Sequence, residues 1–190
     1  MSERTSKTSR ILSTYHLFLT TSEVEIPMLA RSFSVSEKTV HRDIRVLCDA
    51  GVLRVRFDKA AGTDHKGAYR RTNKQLFPIA LTEGEPGRKF LVRIRRLCVV
   101  MGALRQERDE TPPELYRALF PEFSTRTRQR DFNELRAIGY VIGYKADDVN
   151  PPKFRESPWY VEVPGAFELT TISNGTLQEL RLWPRGKQEW

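Results

Sequence analysis

The sequence predicts an α+β chain, mainly helical, in which a unit of three helices and a β-hairpin occurs twice. Two observations predict this duplication. The stretch SEKTVHRDIRVLCDAG, which begins at Ser36, matches the stretch STRTRQRDFNELRAIG, which begins at Ser124, at an offset of 88 residues. Each stretch also follows apolar residues at helical spacing and precedes residues that alternate with period two, as strands do.

The two stretches align without a gap and share a sparse but ordered set of residues. The matched pairs are Ser36 and Ser124, Thr39 and Thr127, Arg42 and Arg130, Asp43 and Asp131, Leu47 and Leu135, and Gly51 and Gly139. They comprise a polar helix cap, an Arg-Asp pair, a core Leu and a terminal Gly. A chance echo of abundant residues would not keep that order, so both copies indicate one kind of supersecondary unit.

The first copy begins with a helix over residues 10–19, RILSTYHLFL, for which Ser9 is a candidate N-cap. A short second helix follows over IPMLARSF, with Pro27 in its first turn. The third helix is capped by Ser36 and ends at Gly51, which suits a left-handed residue. The segments VLRVRF and AYRRT then predict the two strands of a hairpin.

Winding the third helix at about 3.6 residues per turn places its apolar and cationic residues on opposite faces. The inward stripe consists of Val40, Ile44, Leu47 and Cys48, and the outward stripe consists of Lys38, Thr39, Arg42 and Arg45. Arg can bind guanine through two hydrogen bonds in the major groove, and Lys and Thr can reach phosphates or base edges. Asp43 would repel phosphate, so we expect it to pair with a basic or backbone donor and hold the helix in place.

The predicted hairpin would form a wing beside this helix. Its basic residues Lys66, Arg70 and Arg71 are placed to touch backbone phosphate or the minor groove, although a wing can also be purely structural. Three helices, a short turn before the last of them and a following hairpin are the outline of a winged helix-turn-helix, a DNA-binding fold.

The run VSEKTVHRDIRVLCDAGVL resembles the helix-turn-helix of DeoR-type repressors, and the run GAYRRTNKQLFPIALTEGE resembles the junction after the wing in WYL-domain regulators. The resemblance covers about residues 8–85. It implies a sequence-specific transcription regulator whose recognition helix holds Ser36, Lys38, Thr39, His41, Arg42 and Arg45. The chain departs from that family further on, where no WYL sensor domain follows, so the resemblance implies no effector.

Residues 88–109 predict a long helix between the two copies. Its apolar stripe consists of Phe90, Leu91, Ile94, Leu97, Cys98, Met101 and Leu104, and its other faces carry Arg88, Lys89, Arg93, Arg95 and Arg96. The stripe is either core or a dimer contact. Thr111, followed by Pro112 and Pro113, then opens the next helix.

The second candidate recognition helix begins at Ser124, and its outward residues are Arg126, Thr127, Arg130 and Asn133. Arg128 stands where the first copy has the inward Val40, so we expect it to extend outward or to pair with Glu122 or Asp131. The segments YVIGYK and WYVEV would form the second wing, whose long tip contains Asp147 and Asp148 and is a poorer ligand for phosphate. The second unit could instead serve dimerisation or partner binding.

The predicted organisation is a first winged helix-turn-helix over residues 1–75, a linker and long helix over 76–110 that is expected to be helix 1 of the second domain, a second winged helix-turn-helix over 111–165 and a tail over 166–190. The tail ELTTISNGTLQELRLW could form either a hairpin or a short helix.

Composition favours a protein that binds an anionic partner. The 190 residues include 32 Lys and Arg against 24 Asp and Glu, a net charge of +8, and residues 1–75 hold 14 of the basic and 8 of the acidic residues. Nucleic acid is the first candidate partner and a membrane surface the second.

No apolar run approaches the roughly 20 residues that cross a bilayer, and the N-terminus lacks a secretory signal, so we expect a cytoplasmic protein.

These observations predict a regulator of transcription that binds double-stranded DNA, with a repressor preferred over an activator. We expect neither an enzyme nor a metal or cofactor. Cys48 and Cys98 do not cluster with His16, His41 or His65 at metal-ligand spacing, and the sequence has no phosphate-binding Gly loop or nucleophile elbow.

Two recognition helices in one chain could read two major-groove segments about 34 Å apart, or the chain could form a homodimer on a longer palindrome. The alternative functions are a plasmid-type replication initiator, which also has tandem winged helices, and an adaptor that uses both units for protein contact.

Overall fold

The computed structural model describes residues 6–21, 23–62, 67–73, 75–106, 110–144 and 159–162. The elements are α1 (Lys7–Thr20), α2 (Ile26–Ser32), α3 (Glu37–Asp49), β1 (Val55–Asp58), β2 (Ala68–Arg71), α4 (Arg88–Leu104), α5 (Pro112–Leu119), α6 (Thr125–Arg136), β3 (Val141–Tyr144) and β4 (Trp159–Glu162). The chain is therefore α+β and mainly helical, as the sequence predicts. In the described residues, three helices and an antiparallel hairpin occur twice in the same order.

The third helix of each copy begins at the serine that the repeat identifies. The hydroxyl of Ser36 accepts the backbone N–H of Thr39 at 3.3 Å, and that of Ser124 accepts the backbone N–H of Thr127 at 3.3 Å. Such a cap satisfies one of the donors that a helix N-terminus leaves unpaired. The shared Ser-x-x-Thr spacing therefore forms the same N-terminal helix cap in both copies.

Gly51 follows the C-cap Ala50 of helix α3, and its φ of +70° lies in the left-handed region. A Cβ at this position would lie 2.3 Å from the backbone oxygen of Phe77 and 2.8 Å from that of Pro78. The predicted terminal glycine is thus needed both for its φ and for the close approach of the following segment.

Helix α4 ends at Leu104 and not at residue 109, and two predicted starting points were also wrong. Helix α1 begins at Lys7 rather than at residue 10, and its N-cap is Ser6, whose hydroxyl accepts the backbone N–H of Ser9 at 3.0 Å. Strand β1 begins at Val55 and not at Val52; the preceding Val52 and Leu53 are fully buried in the core. In both cases a boundary was placed from the apolar pattern alone, which does not mark where backbone hydrogen bonding begins.

Each hairpin is a two-stranded antiparallel sheet. Val55 lies opposite Arg71 in the first hairpin, and Val141 lies opposite Glu162 in the second. Val24, in the connection between α1 and α2, adds a bridge to Tyr69 through two backbone hydrogen bonds of 2.9 Å. An isolated hairpin is only marginally stable; the first is tied to the helical part by the Val24 bridge, and the second packs against α5 and α6.

One hydrophobic core joins the two copies. Helix α1 packs against α3, α4 and α6, and α4 packs against α1, α3, α5 and α6. The first helix of each copy therefore contacts the third helix of the other copy. The apolar stripe predicted for α4 lies in this core, together with Leu12 of α1 and Leu135 of α6. The division of the chain at residues 75, 110 and 165 stays a prediction.

Candidate nucleic-acid interface

The outer face of α3 is exposed and rich in cations and hydrogen-bond donors. Its exposed side chains are Ser36, Lys38, His41, Arg42 and Arg45, with Thr39 half-buried beside them. Arg45 is 83% exposed, and its Nε lies 3.9 Å from Asp49 in a surface ion pair that contributes little stability. The exposed Glu37 lies in the first turn, where the helix dipole favours a negative charge.

Asp43 lies on the buried side of α3 and binds α1. Its carboxylate is 2% exposed and accepts hydrogen bonds from Arg10, at 2.5 Å from Nε and at 3.3 Å from Nη2. This pair confirms the prediction that Asp43 binds a basic donor instead of facing outward. Because Arg10 neutralises this carboxylate inside the protein, the outer face of α3 keeps its positive charge.

His41 joins α3 to the first hairpin. Its Nδ1 lies 3.3 Å from the hydroxyl of Tyr69 on β2, and the two rings meet edge-on with centroids 5.9 Å apart. Tyr69 also contacts Phe57 of β1, which is 42% exposed, at a centroid distance of 5.0 Å. The alternation along VLRVRF groups Phe57 with Leu53 and Val55 as apolar residues of one strand face, so it does not indicate this exposed cluster.

The basic residues predicted for the first wing have different surroundings. The Arg70 side chain is 52% exposed and forms an ion pair with Glu23. Arg71 is half-buried, with its Nε enclosed and without a hydrogen-bond partner, and its guanidinium lies 6.0 Å from the ring centre of Tyr15. Lys66 lies outside the described residues. Arg70 is thus open to solvent, whereas Arg71 extends toward α1.

The corresponding face of α6 is also exposed and basic. Ser124, Arg126, Arg130 and Asn133 are exposed, and Thr127 is half-buried. Asn133 accepts a hydrogen bond from Arg136 at 2.7 Å, so a residue of the same helix fixes the orientation of its amide. Arg128, which replaces Val40, is half-buried at the edge of the helix. The tip with Asp147 and Asp148 lies outside the described residues.

Asp131 of α6 is buried and binds two partners. Arg96 of α4 donates from Nε at 2.6 Å and from Nη2 at 3.1 Å, and the hydroxyl of Tyr116 donates at 2.6 Å. Burial, followed by the bond to Asp131, raises the pKa of the Tyr116 phenol, which stays protonated and able to donate. Arg96 also lies 4.2 Å from the ring centre of Phe123. The prediction of Arg96 on an outer face of α4 was wrong, because this carboxylate compensates its buried charge.

The same anchor therefore occurs in both copies: a buried aspartate of the third helix binds an arginine of the first. Asp43 and Asp131 differ by 88 positions, whereas Arg10 and Arg96 differ by 86. An alignment at a fixed offset finds the aspartates and misses the arginines. A search for the two halves of each ion pair, with a small shift allowed, would have found them.

An open groove of ≈ 780 Å³ lies between α6 and the start of α1. Thr127, Arg130 and Asn133 line one side of it, and Ser6 and Ser9 line another. Three of the predicted contact residues of α6 thus border a polar groove.

The longest described helix, α4, has 17 residues and carries several arginines. Among the helices of the described ranges, none has both the length and the apolar character needed to cross a membrane. The function of the chain is inferred from its own residues and their contacts, since no protein-family model, curated protein or solved structure matches it.

Proposed function

We propose that the protein is a sequence-specific transcription regulator that binds double-stranded DNA through two tandem winged helix-turn-helix units. Helix α3 enters the major groove as the recognition helix of the first unit, and the β1–β2 hairpin is its wing. Helix α6 takes the same role in the second unit. The protein acts in the cytoplasm, as a repressor, because bound helices alone can occlude a promoter.

The observation that supports this proposal most strongly is the duplicated anchor beneath two exposed cationic helices. Asp43 binds Arg10 and Asp131 binds Arg96, with each aspartate side chain 2% exposed. A buried ion pair contributes little net stability but can fix one orientation of a helix. Such a pair withdraws a negative charge from the helix surface and holds the opposite, basic face toward solvent.

The residues of α3 match what major-groove recognition requires. Arg42 and Arg45 lie three residues apart and therefore share one side of the helix. Each can donate two hydrogen bonds to guanine N7 and O6. Lys38, near the N-terminus of the helix, can bind a phosphate where the helix dipole is also favourable.

The shared core supports a bipartite site. Since α1 contacts both α3 and α6, and α4 does the same, the separation of the two recognition helices is set by packing and not by a linker. A single chain would then require two half-sites at a fixed spacing, about 34 Å for successive major-groove segments. A homodimer would require a longer palindrome.

The resemblance of residues 8–85 to DeoR-type and WYL-domain regulators supports the same function. Two other functions make different predictions. A plasmid-type replication initiator would bind clustered repeats near an origin. An adaptor would show no DNA affinity that falls steeply with salt, whereas a DNA-binding protein loses affinity with a log-log slope of about 0.9 for each phosphate it neutralises.

The proposal is tested by selecting genomic DNA fragments with the purified full chain at physiological salt and sequencing them. Enrichment of a bipartite motif upstream of genes is the expected result, and the spacing of its halves distinguishes a single chain from a dimer. Enrichment of repeats at an origin supports the initiator. Folded protein that enriches no motif contradicts sequence-specific binding.

The role of α3 is tested with Arg42→Ala on the selected site. Loss of a base contact should weaken binding by about 1–3 kcal/mol and relax the preference at one position. Lys89→Ala is the matched control, because Lys89 is an exposed cation on α4 and lies outside both recognition helices. Fluorescence anisotropy at several salt concentrations measures both variants. Equal effects would mean that Arg42 contributes only general charge.

A further inference from the structure

His41 and Tyr69 form a link between the proposed recognition helix and the proposed wing. The hydroxyl of Tyr69 lies 3.3 Å from Nδ1 of His41. His41 is exposed on α3, and Tyr69 is half-buried on β2. The other ring nitrogen of His41, Nε2, is therefore the one that can face a partner of this surface.

Tyr69 is held firmly enough to orient His41. Its backbone N–H and C=O both bond to Val24 at 2.9 Å, and it lies opposite Phe57 in the hairpin register. The ring of Phe57 lies against Gly67 so closely that a Cβ there would be 2.4 Å from Cζ of Phe57. The phenol thus projects from a strand that is bonded on both sides, toward a fixed point on α3.

This hydrogen bond bears on which ring nitrogen of a neutral His41 carries the hydrogen. A neutral imidazole has one donor and one acceptor nitrogen, and the partner of one nitrogen decides the role of the other. Burial raises the pKa of the Tyr69 phenol, with a further contribution from Cys48, so the hydroxyl keeps its proton. A phenol is a strong donor and an imidazole nitrogen a strong acceptor, so a neutral His41 whose Nδ1 accepts from Tyr69 carries its hydrogen on Nε2.

We propose that His41 is a specificity-determining residue of the recognition helix and that Tyr69 is its positioning residue. Oriented by Tyr69, His41 donates from Nε2 to an acceptor on a base edge in the major groove. Guanine presents only acceptors there, N7 and O6, whereas cytosine presents only the N4 donor. His41 therefore favours guanine over cytosine at one position of the site. This inference rests on the proposed function and deepens it.

The second copy lacks this arrangement. The residue equivalent to His41 is the exposed Gln129, and the residue opposite Tyr160 in the second hairpin is Gly143 instead of a phenylalanine. A glutamine amide offers both a donor and an acceptor and does not exclude either kind of base edge. The two half-sites are therefore expected to differ, because the position that His41 reads has no equivalent in the half bound by α6.

Two measurements on the full chain test the inference. The ¹⁵N chemical shifts of the His41 imidazole in free protein, at pH 8 where imidazoles are ordinarily neutral, identify the protonated nitrogen. We expect the hydrogen on Nε2. Selection of DNA by wild type, His41→Ala and Tyr69→Phe then compares base preference. Tyr69→Phe keeps the ring contacts and removes only the hydroxyl, and His41→Ala alters an exposed side chain, so both variants should fold.

In wild type we expect guanine to be preferred over cytosine at one position by about fivefold or more. His41→Ala should abolish that preference, and Tyr69→Phe should reduce it at least about twofold while preferences elsewhere in the motif persist. DNA binding in which both variants keep the wild-type preference, or a hydrogen on Nδ1 in wild type, overturns this inference and leaves the proposed function standing. Failure of every variant and of wild type to select a motif overturns both.

Discussion

Replacement of Asp131 by alanine should cause a large loss of stability, because it leaves a buried charge without its partner. Arg96 is 10% exposed at its side chain and loses both of its hydrogen bonds to the carboxylate. Removal of one member of a buried ion pair costs about 3–5 kcal/mol. Tyr116 also loses its acceptor, which places the expected loss in the upper half of that range, about 4–5 kcal/mol. Since domains are stable by only about 5–15 kcal/mol, this variant should be close to unfolding.

Urea denaturation followed by far-ultraviolet circular dichroism measures the loss as a change in the free energy of unfolding. Asp43→Ala is the matched control, since Asp43 accepts two hydrogen bonds from Arg10 and the loss there should be smaller, about 3 kcal/mol. The double variant Arg96→Met with Asp131→Leu removes both charges and should recover most of the stability. A loss below about 1 kcal/mol for Asp131→Ala, or no recovery in the double variant, would refute the electrostatic account.

Two further substitutions test the end of α3 and the role of α6. Gly51→Ala should destabilise the protein by more than about 1 kcal/mol in urea denaturation, because its Cβ would meet two backbone oxygens. Gly84→Ala is the control, since Gly84 also has a positive φ but open space around it, and equal losses would exclude a steric cause. Arg130→Ala should weaken binding to the selected DNA by about 1–3 kcal/mol if α6 enters the major groove. A neutral result there, with a large effect of Arg42→Ala, would assign the second unit to assembly.

The sequence predicts the elements of this fold well, because each has a local signal. Ser36 and Ser124 mark the two caps, Gly51 marks the end of α3, and Thr111 with two prolines marks the start of α5. The pairing of Asp43 with a basic donor was also predictable, since a carboxylate that faced DNA would repel phosphate. These signals act within one or two helical turns.

The partners of those residues were not predictable in the same way. Arg10 lies 33 residues from Asp43, and Tyr69 lies 28 residues from His41. Arg96 stands among other arginines of α4, and only the packing of α4 against α6 distinguishes it from them. Local spacing contains no information about such contacts, because they depend on how whole elements pack.

Because one core joins both copies, the contact between them does not depend on the protein concentration. A dimer of one-unit proteins separates on dilution, because its interface forms only when two chains meet. Here the two copies meet within one chain, where α1 contacts α6 and α4 contacts α3, so these contacts form in every folded molecule at any concentration. The two subunits of a homodimer must present identical surfaces. The two copies in this chain have separate sequences, so their surfaces can differ. The exposed faces of α3 and α6 differ, with His41 in one and Gln129 in the other, while each helix has a buried aspartate.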